Sequence, residues 1–170
     1  MFSFILTFQR EGTQVELSGS YIIDAPKHLV WEALVDPTVL ETCIPGCEAV
    51  ERVATDRYVG RIRGKVGPIK ASFDGDLILT NLNPPDAYTM NVQGHGGLAG
   101  LAKAQADVAI EAIDEHTTRL TYTAKTELEG LLAKLAAKLV TGTAVKYVDR
   151  FFGCFSEQVI SRRQAAEISS

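Results

Sequence analysis

With 170 residues, 46% of them hydrophobic and 22% charged, the chain is long enough to bury a core and is expected to form one domain. A formal net charge of −4 lacks the basic field that nucleic-acid binding requires. Three cysteines, an odd number, argue against a disulfide framework and fit a reducing compartment.

Residues 1–13 open with MFSFILTFQ, which is apolar but has no basic n-region and no small-residue cleavage site. They are read as an N-terminal extension: an added edge strand, or translation from an upstream start codon. The domain proper is expected over 14–161, with 162–170 as a polar tail. VELSGSYII at 15–23 alternates loosely and predicts a strand. Asp24 then offers an N-cap and Pro26 a first-turn proline for a helix KHLVWEALV, with Leu29, Val30, Ala33 and Leu34 on one side. A second short helix over 37–43 is stopped by Ile44-Pro45-Gly46.

From there to residue 129 the period becomes two. Tyr58, Gly60, Ile62, Gly64 and Val66 share a face, and Gly67-Pro68 turns the chain. Ile69, Ala71, Phe73, Gly75, Leu77 and Leu79 face inward next. Tyr88, Met90, Val92 and Gly94 follow, then Ala102, Ala104, Ala106, Val108 and Ile110, then Leu120, Tyr122, Ala124, Thr126 and Leu128. One face of each strand is apolar and the other polar, which predicts an antiparallel meander covered on one side. Many inward residues are glycine or alanine. Such a face suits either close helix packing or a bent sheet with a hollow, and the residues alone leave both open.

What covers that face is the run 130–160, without proline and with apolar residues at helical spacing. At 1.5 Å per residue it predicts a helix of roughly 45 Å. Lys134, Lys138, Lys146, Asp149 and Arg150 exclude a membrane span. Its apolar stripe has two parts: Leu132, Leu135, Ala136 and Leu139, then Ala144, Tyr147, Val148, Phe151, Phe152, Phe155 and Val159. The second is displaced by about one residue, some 100° around the axis. The shift falls at Thr141-Gly142-Thr143. Gly142 is therefore either a small residue permitting close packing or a hinge, and as a hinge it would let the first half lift off a cavity.

Specific strings carry a family likeness. VELSGSYIIDAP at 15–26, IPGCE at 44–48, KVGPIKASFDGDL at 65–77, GHGGLAGLAKAQADV at 94–108 and TGTAVKYVDRFF at 141–152 resemble the CoxG family of carbon monoxide dehydrogenase accessory proteins. The element order is similar to that of the START-like helix-grip superfamily, which includes polyketide cyclases. The resemblance implies an α+β helix-grip fold, a curved antiparallel sheet wrapped around a long C-terminal helix with two short helices after the first strand. It also implies a cytoplasmic accessory protein of a molybdenum hydroxylase, carrying a quinone or lipid and making peripheral contact with the inner face of the membrane. Longer members continue into an apolar C-terminal anchor, where this sequence has the polar SRRQAAEISS, so permanent anchoring is not expected.

Candidate chemistry is sparse. Cys43 and Cys47 flank the Ile-Pro-Gly turn as two small thiols, and His28, His95 and His116 are scattered, so no metal and no cofactor is expected. Asp74 and Asp76 fall on the polar strand face, and no nucleophile has an evident base. The glycine-rich 94–101 lacks the lysine of a phosphate loop. It reads as a hairpin connection or as a pliable apolar lip, with His95, Leu98 and Leu101 at a cavity mouth. The expected cavity lining is Tyr58, Ile62, Phe73, Leu77, Met90, Val108, Tyr122, Leu128, Leu132, Leu135 and Leu139. No catalytic residue is expected. Two alternatives remain, a cyclase- or hydrolase-like enzyme in the same cavity and a docking protein with no ligand.

Overall fold

Alternation at a period of two produces a single sheet. The computed structural model describes residues 3–5, 14–135 and 137–169. Its strands are β1 (Ser3–Ile5), β2 (Gln14–Ile23), β3 (Cys47–Ala54), β4 (Arg57–Val66), β5 (Ile69–Asn83), β6 (Ala87–His95), β7 (Leu101–Ala112) and β8 (Thr118–Glu129). All pairings are antiparallel, in the spatial order β1-β2-β8-β7-β6-β5-β4-β3. From β3 to β8 each strand pairs with the next, as hairpin connections dictate. The first long strand closes the meander by pairing with the last, from Gln14 opposite Glu127 to Ile23 opposite Thr118.

The strand phase read from the sequence holds. Tyr58, Leu79, Val108, Leu120, Tyr122 and Leu128 are buried, and Phe73, Leu77 and Met90 pack half-buried against them. Their neighbours Arg61, Asp74, Lys103 and Thr121 face solvent. Two short helices, α1 (Lys27–Leu34) and α2 (Pro37–Cys43), follow β2, and α3 (Leu131–Lys134) and α4 (Ala137–Ser169) follow β8. The long helix packs on α1, α2, β2 and β4, with Phe155 and Val159 fully buried. This is the expected helix-grip: a curved antiparallel sheet closed around the C-terminal helix.

Five local expectations are corrected. Asp24 does not cap α1; Pro26 occupies the N-cap position, and the capping carboxylate is Asp36 on α2, which accepts from the Thr38 N–H at 2.8 Å. The edge strand β3 escapes the sequence reading, because register shifts at both its ends and its exposed, charged composition erase the alternation. The C-terminal run is two helices: Leu135 adopts extended backbone (φ −70°, ψ 150°). The displaced stripe thus marks a helix boundary near residue 135, while α4 runs unbroken through Gly142. Gly142 is no packing residue, since a Cβ built there meets no heavy atom within 4 Å. Finally, Cys43 and Cys154 form a disulfide joining α2 to α4, with Cα atoms 5.3 Å apart, and Cys47 is free. The cysteine count therefore carries no argument for a reducing compartment.

The polar tail continues α4 to Ser169. Arg162 pairs with Asp36, and Arg163 donates to the Asp24 carbonyl. Within the N-terminal extension, Ser3–Ile5 forms an edge strand opposite Ser18–Ser20 of β2; its other residues, like Ala136 of the stripe, lie outside the described residues.

Candidate functional site: an apolar cavity under the long helix

Small inward residues and a bent sheet leave a hollow rather than a flush contact. A cavity of about 290 Å³ lies between the sheet, α2 and the middle of α4. Its floor is Leu77, Leu79, Met90, Ala106, Val108, Leu120, Tyr122 and Ala124 on adjacent strands. Leu40, Ile44 and Pro45 supply one wall, and Tyr147, Val148, Phe151 and Phe152 the roof. Ala106 is where depth is gained, because a larger side chain there would fill the space between Met90 and Ala124, its partners on β6 and β8.

The lining contains no charged side chain, and its polar groups are the hydroxyls of Tyr58, Tyr88, Tyr122 and Tyr147. Tyr58 is 2% exposed and donates to the Val35 carbonyl at 2.6 Å, tying β4 to the end of α1. Trp31 meets Tyr88 edge-to-face at 5.6 Å. Tyr21 and Tyr122 stack with ring centroids 6.2 Å apart in an aromatic group that includes Phe152. Gly19, opposite Tyr122 on β2, makes room for that ring: a Cβ there would sit 2.8 Å from Tyr122 Cε1.

Burial pushes all four of Tyr21, Tyr58, Tyr88 and Tyr122 above the ordinary phenol range. For Tyr21 the neighbouring Tyr122 and Asp149 add to the rise; for Tyr122 the nearby Tyr21 hydroxyl partly opposes it. These groups stay neutral at physiological pH and act as hydrogen-bonding phenols rather than bases. Among the described residues no group of three or more His, Cys, Asp or Glu is placed to hold a metal, and the lining has no carboxylate or imidazole for proton transfer.

Of the residues expected from sequence, Tyr58, Leu77, Met90, Val108 and Tyr122 line this cavity. Ile62 and Phe73 lie farther along the sheet, where Phe73 fills the bend under Gly96; a Cβ on that glycine would come within 2.4 Å of the ring. Leu128 and Leu132 are buried, and Leu135 half-buried, outside the lining. Leu139 is corrected: it is 46% exposed and reaches the β4–β5 turn at Gly67. His95 is corrected too. It is exposed on the outer face of the sheet beside Gln93 and opposite Asp74, because its phase on β6 is that of the polar residues. Leu98 is 92% exposed and Leu101 half-buried, neither at the cavity wall.

Sequence reasoning misses the roof. The aromatic half of the stripe, Tyr147 to Phe152, covers the cavity, whereas the apolar pattern assigns 132–139 to that place. Aromatic rings spaced along one helical face were the available signal. The α2 wall had a signal as well, in the apolar Leu40 and Ile44 beside a proline turn.

The profile of the carbon monoxide dehydrogenase CoxG family matches residues 19–160. A conserved protein from Geobacillus kaustophilus is 27% identical with a TM-score of 0.81, over 86% of this chain and 96% of that one. An aromatase/cyclase from a Streptomyces species is 16% identical with a TM-score of 0.69, over 90% and 98%. A START superfamily protein from Mycobacterium smegmatis is 11% identical with a TM-score of 0.66, over 88% and 99%. The latter two are similar in fold alone, and a comparison with curated proteins gives no match. With most of its length matched by the family profile and its architecture that of the START-like proteins, the chain belongs to the carbon monoxide dehydrogenase CoxG family.

Proposed function

We propose that this protein is a non-enzymatic accessory of a molybdenum hydroxylase of the carbon monoxide dehydrogenase type. It holds a neutral apolar molecule, a quinone or lipid, in the cavity under α4 and links the enzyme to the cytoplasmic face of the membrane. The observation that carries the reading is the lining: apolar side chains with tyrosine hydroxyls as their polar groups and no charge. Such a site favours a ligand that is itself uncharged, since a buried unpaired charge is expensive. A phenol can donate to a carbonyl oxygen of the ligand, which gives the apolar pocket some direction. Tyr58, Leu77, Met90, Val108 and Tyr122 form the wall in this account, with Tyr147, Phe151 and Phe152 above. A hinge at Gly142 is not needed.

Organic-solvent extraction of purified protein, followed by mass spectrometry, tests the reading. It expects a stoichiometric neutral apolar compound. Recovery of none from protein purified without detergent, together with no uptake of added quinone or lipid, contradicts it.

A catalytic reading has one specific support, the fold shared with an aromatase/cyclase and a norcoclaurine synthase. Those likenesses, at 16% and 13% identity, concern fold only. The neutral tyrosines leave such a reaction without a base in the lining.

A further inference from the structure

At the end of the molecule where the β4–β5 turn meets the start of α4, three large apolar side chains stand in solvent. Leu98 is 92% exposed, Leu131 42% and Leu139 46%. Their segments are held together. The 3-10 turn at Gly97–Ala99 packs on α3, and Leu139 lies 3.5 Å from the position of a Cβ at Gly67. Gly100 (φ 106°) and Gly130 (φ 75°) let the two loop backbones touch; a Cβ on Gly100 would lie 2.0 Å from the Glu129 carbonyl oxygen. Such close contact of positive-φ glycines fixes Leu98 and Leu131 on one surface instead of leaving them on independent loops.

The charge around this tip is unlike that of the whole chain. Lys65 and Lys70 face each other across the β4–β5 hairpin, Lys134 ends α3 and Lys146 lies two turns after Leu139 on α4. All four are exposed, and no ion pair is formed by any of them among the described residues. Glu129 is the sole acidic residue of the segments 64–70, 96–101, 129–135 and 139–146, so the tip has four lysines against one glutamate in a chain of net charge −4. By contrast, arginines Arg57, Arg61 and Arg63 on the outer face are each paired with a carboxylate.

We infer that this tip is a docking surface for an anionic membrane, with Leu98, Leu131 and Leu139 entering the interface and Lys65, Lys70, Lys134 and Lys146 meeting lipid phosphates. Exposed leucines and unpaired lysines on these neighbouring segments combine the two forces that hold peripheral proteins on bilayers, apolar burial and attraction to anionic headgroups. A protein surface would serve the leucines, but the surplus of unpaired positive charge favours a densely anionic plane. The inference rests on the membrane-linking part of the proposed function and not on the cavity.

Co-sedimentation with phosphatidylcholine vesicles, with and without phosphatidylglycerol, tests it on the full chain. Binding is expected with phosphatidylglycerol and is weakened by salt. Leu98→Ser should weaken it about tenfold, and Lys65→Gln with Lys70→Gln about tenfold or more. Ile168→Ser, at an apolar side chain 85% exposed elsewhere on α4, should leave it unchanged. These positions are exposed, and circular dichroism confirms folding of each variant. Absence of binding by folded wild-type protein overturns the inference, as does binding that is lost in Ile168→Ser and kept in Leu98→Ser. If vesicles are not bound and Leu98→Ser disrupts a complex with the hydroxylase instead, the tip belongs to a protein partner. In any of these cases an apolar compound in the solvent extract would leave the carrier reading standing.

Discussion

Cys43 and Cys154, 111 residues apart in sequence, are joined where α2 rests on α4. The bond sits between Leu40 and Ile44 on one helix and beside Phe151 on the other, so it fastens the α2 wall of the cavity to its roof. Alkylation of the folded protein should therefore modify one thiol, Cys47, and reduction under denaturing conditions should expose three. Burial, only partly offset by its contact with the Ala49 carbonyl, raises the Cys47 thiol above its usual range, so its modification should be slow at neutral pH. Cys154→Ser should cost about 2–5 kcal/mol, the usual range for losing a native disulfide. Three reactive thiols in the folded protein would contradict the pairing.

Gly142 lies exposed inside an unbroken helix with open space where a side chain would go. Gly142→Ala should therefore raise stability by up to about 1 kcal/mol, the helix-propensity difference. Uptake of an apolar probe should keep its wild-type rate. A slower rate in the alanine variant would restore the hinge.

Asp36 caps α2 and receives Arg162 from the far end of α4. Burial by itself would raise its pKa, but the guanidinium and the Thr38 N–H more than offset that and hold the carboxyl below its usual range. A depressed carboxylate adds stability above its unfolded value, near 3.9, and loses it as pH falls through the folded one. Asp36→Asn keeps a capping oxygen and removes the charge. Because the pair is partly solvated, the loss at neutral pH should be under about 1 kcal/mol and should vanish as pH falls through the lowered folded value of Asp36. Thermal melts of both proteins across pH would show the two curves converging in acid. A constant offset would assign the effect to packing.

The buried phenols predict the opposite limb. Four of the five tyrosines have raised pKa values, chiefly through burial. The stability tied to their neutral forms is complete below the unfolded value of about 10 and declines as pH rises beyond it. Spectrophotometric titration should show most tyrosines ionising only as the protein unfolds. Reversible ionisation of all five in folded protein near pH 10 would contradict the burial.

The sheet was legible because alternation survives wherever one strand face is buried, as from Tyr58 to Val66 and from Leu120 to Leu128. The edge strand Cys47–Ala54 was not, since its side chains pack on little and bulges break its period. Five of the eleven lining residues named from sequence reach the cavity; Leu139, one of the other six, is exposed, and His95 of the expected mouth faces outward. A strand's phase says which way a side chain points, but not how far along the sheet the helix crosses it. That crossing depends on the boundary near Leu135 and on the Cys43–Cys154 bond, both set by contacts remote in sequence. The stripe displacement was a true signal placed seven residues late.

A carrier role requires the hollow under α4 to accept a neutral apolar molecule. Binding of a fluorescent, uncharged, quinone-like probe to the wild type and to Ala106→Phe measures this directly. If the space is free, the added ring is accommodated with little loss of stability, and probe affinity falls by at least tenfold. A variant destabilised by about 1–3 kcal/mol would signal a filled interior. Equal probe binding in both proteins, or none in the wild type, would contradict the cavity as the binding site.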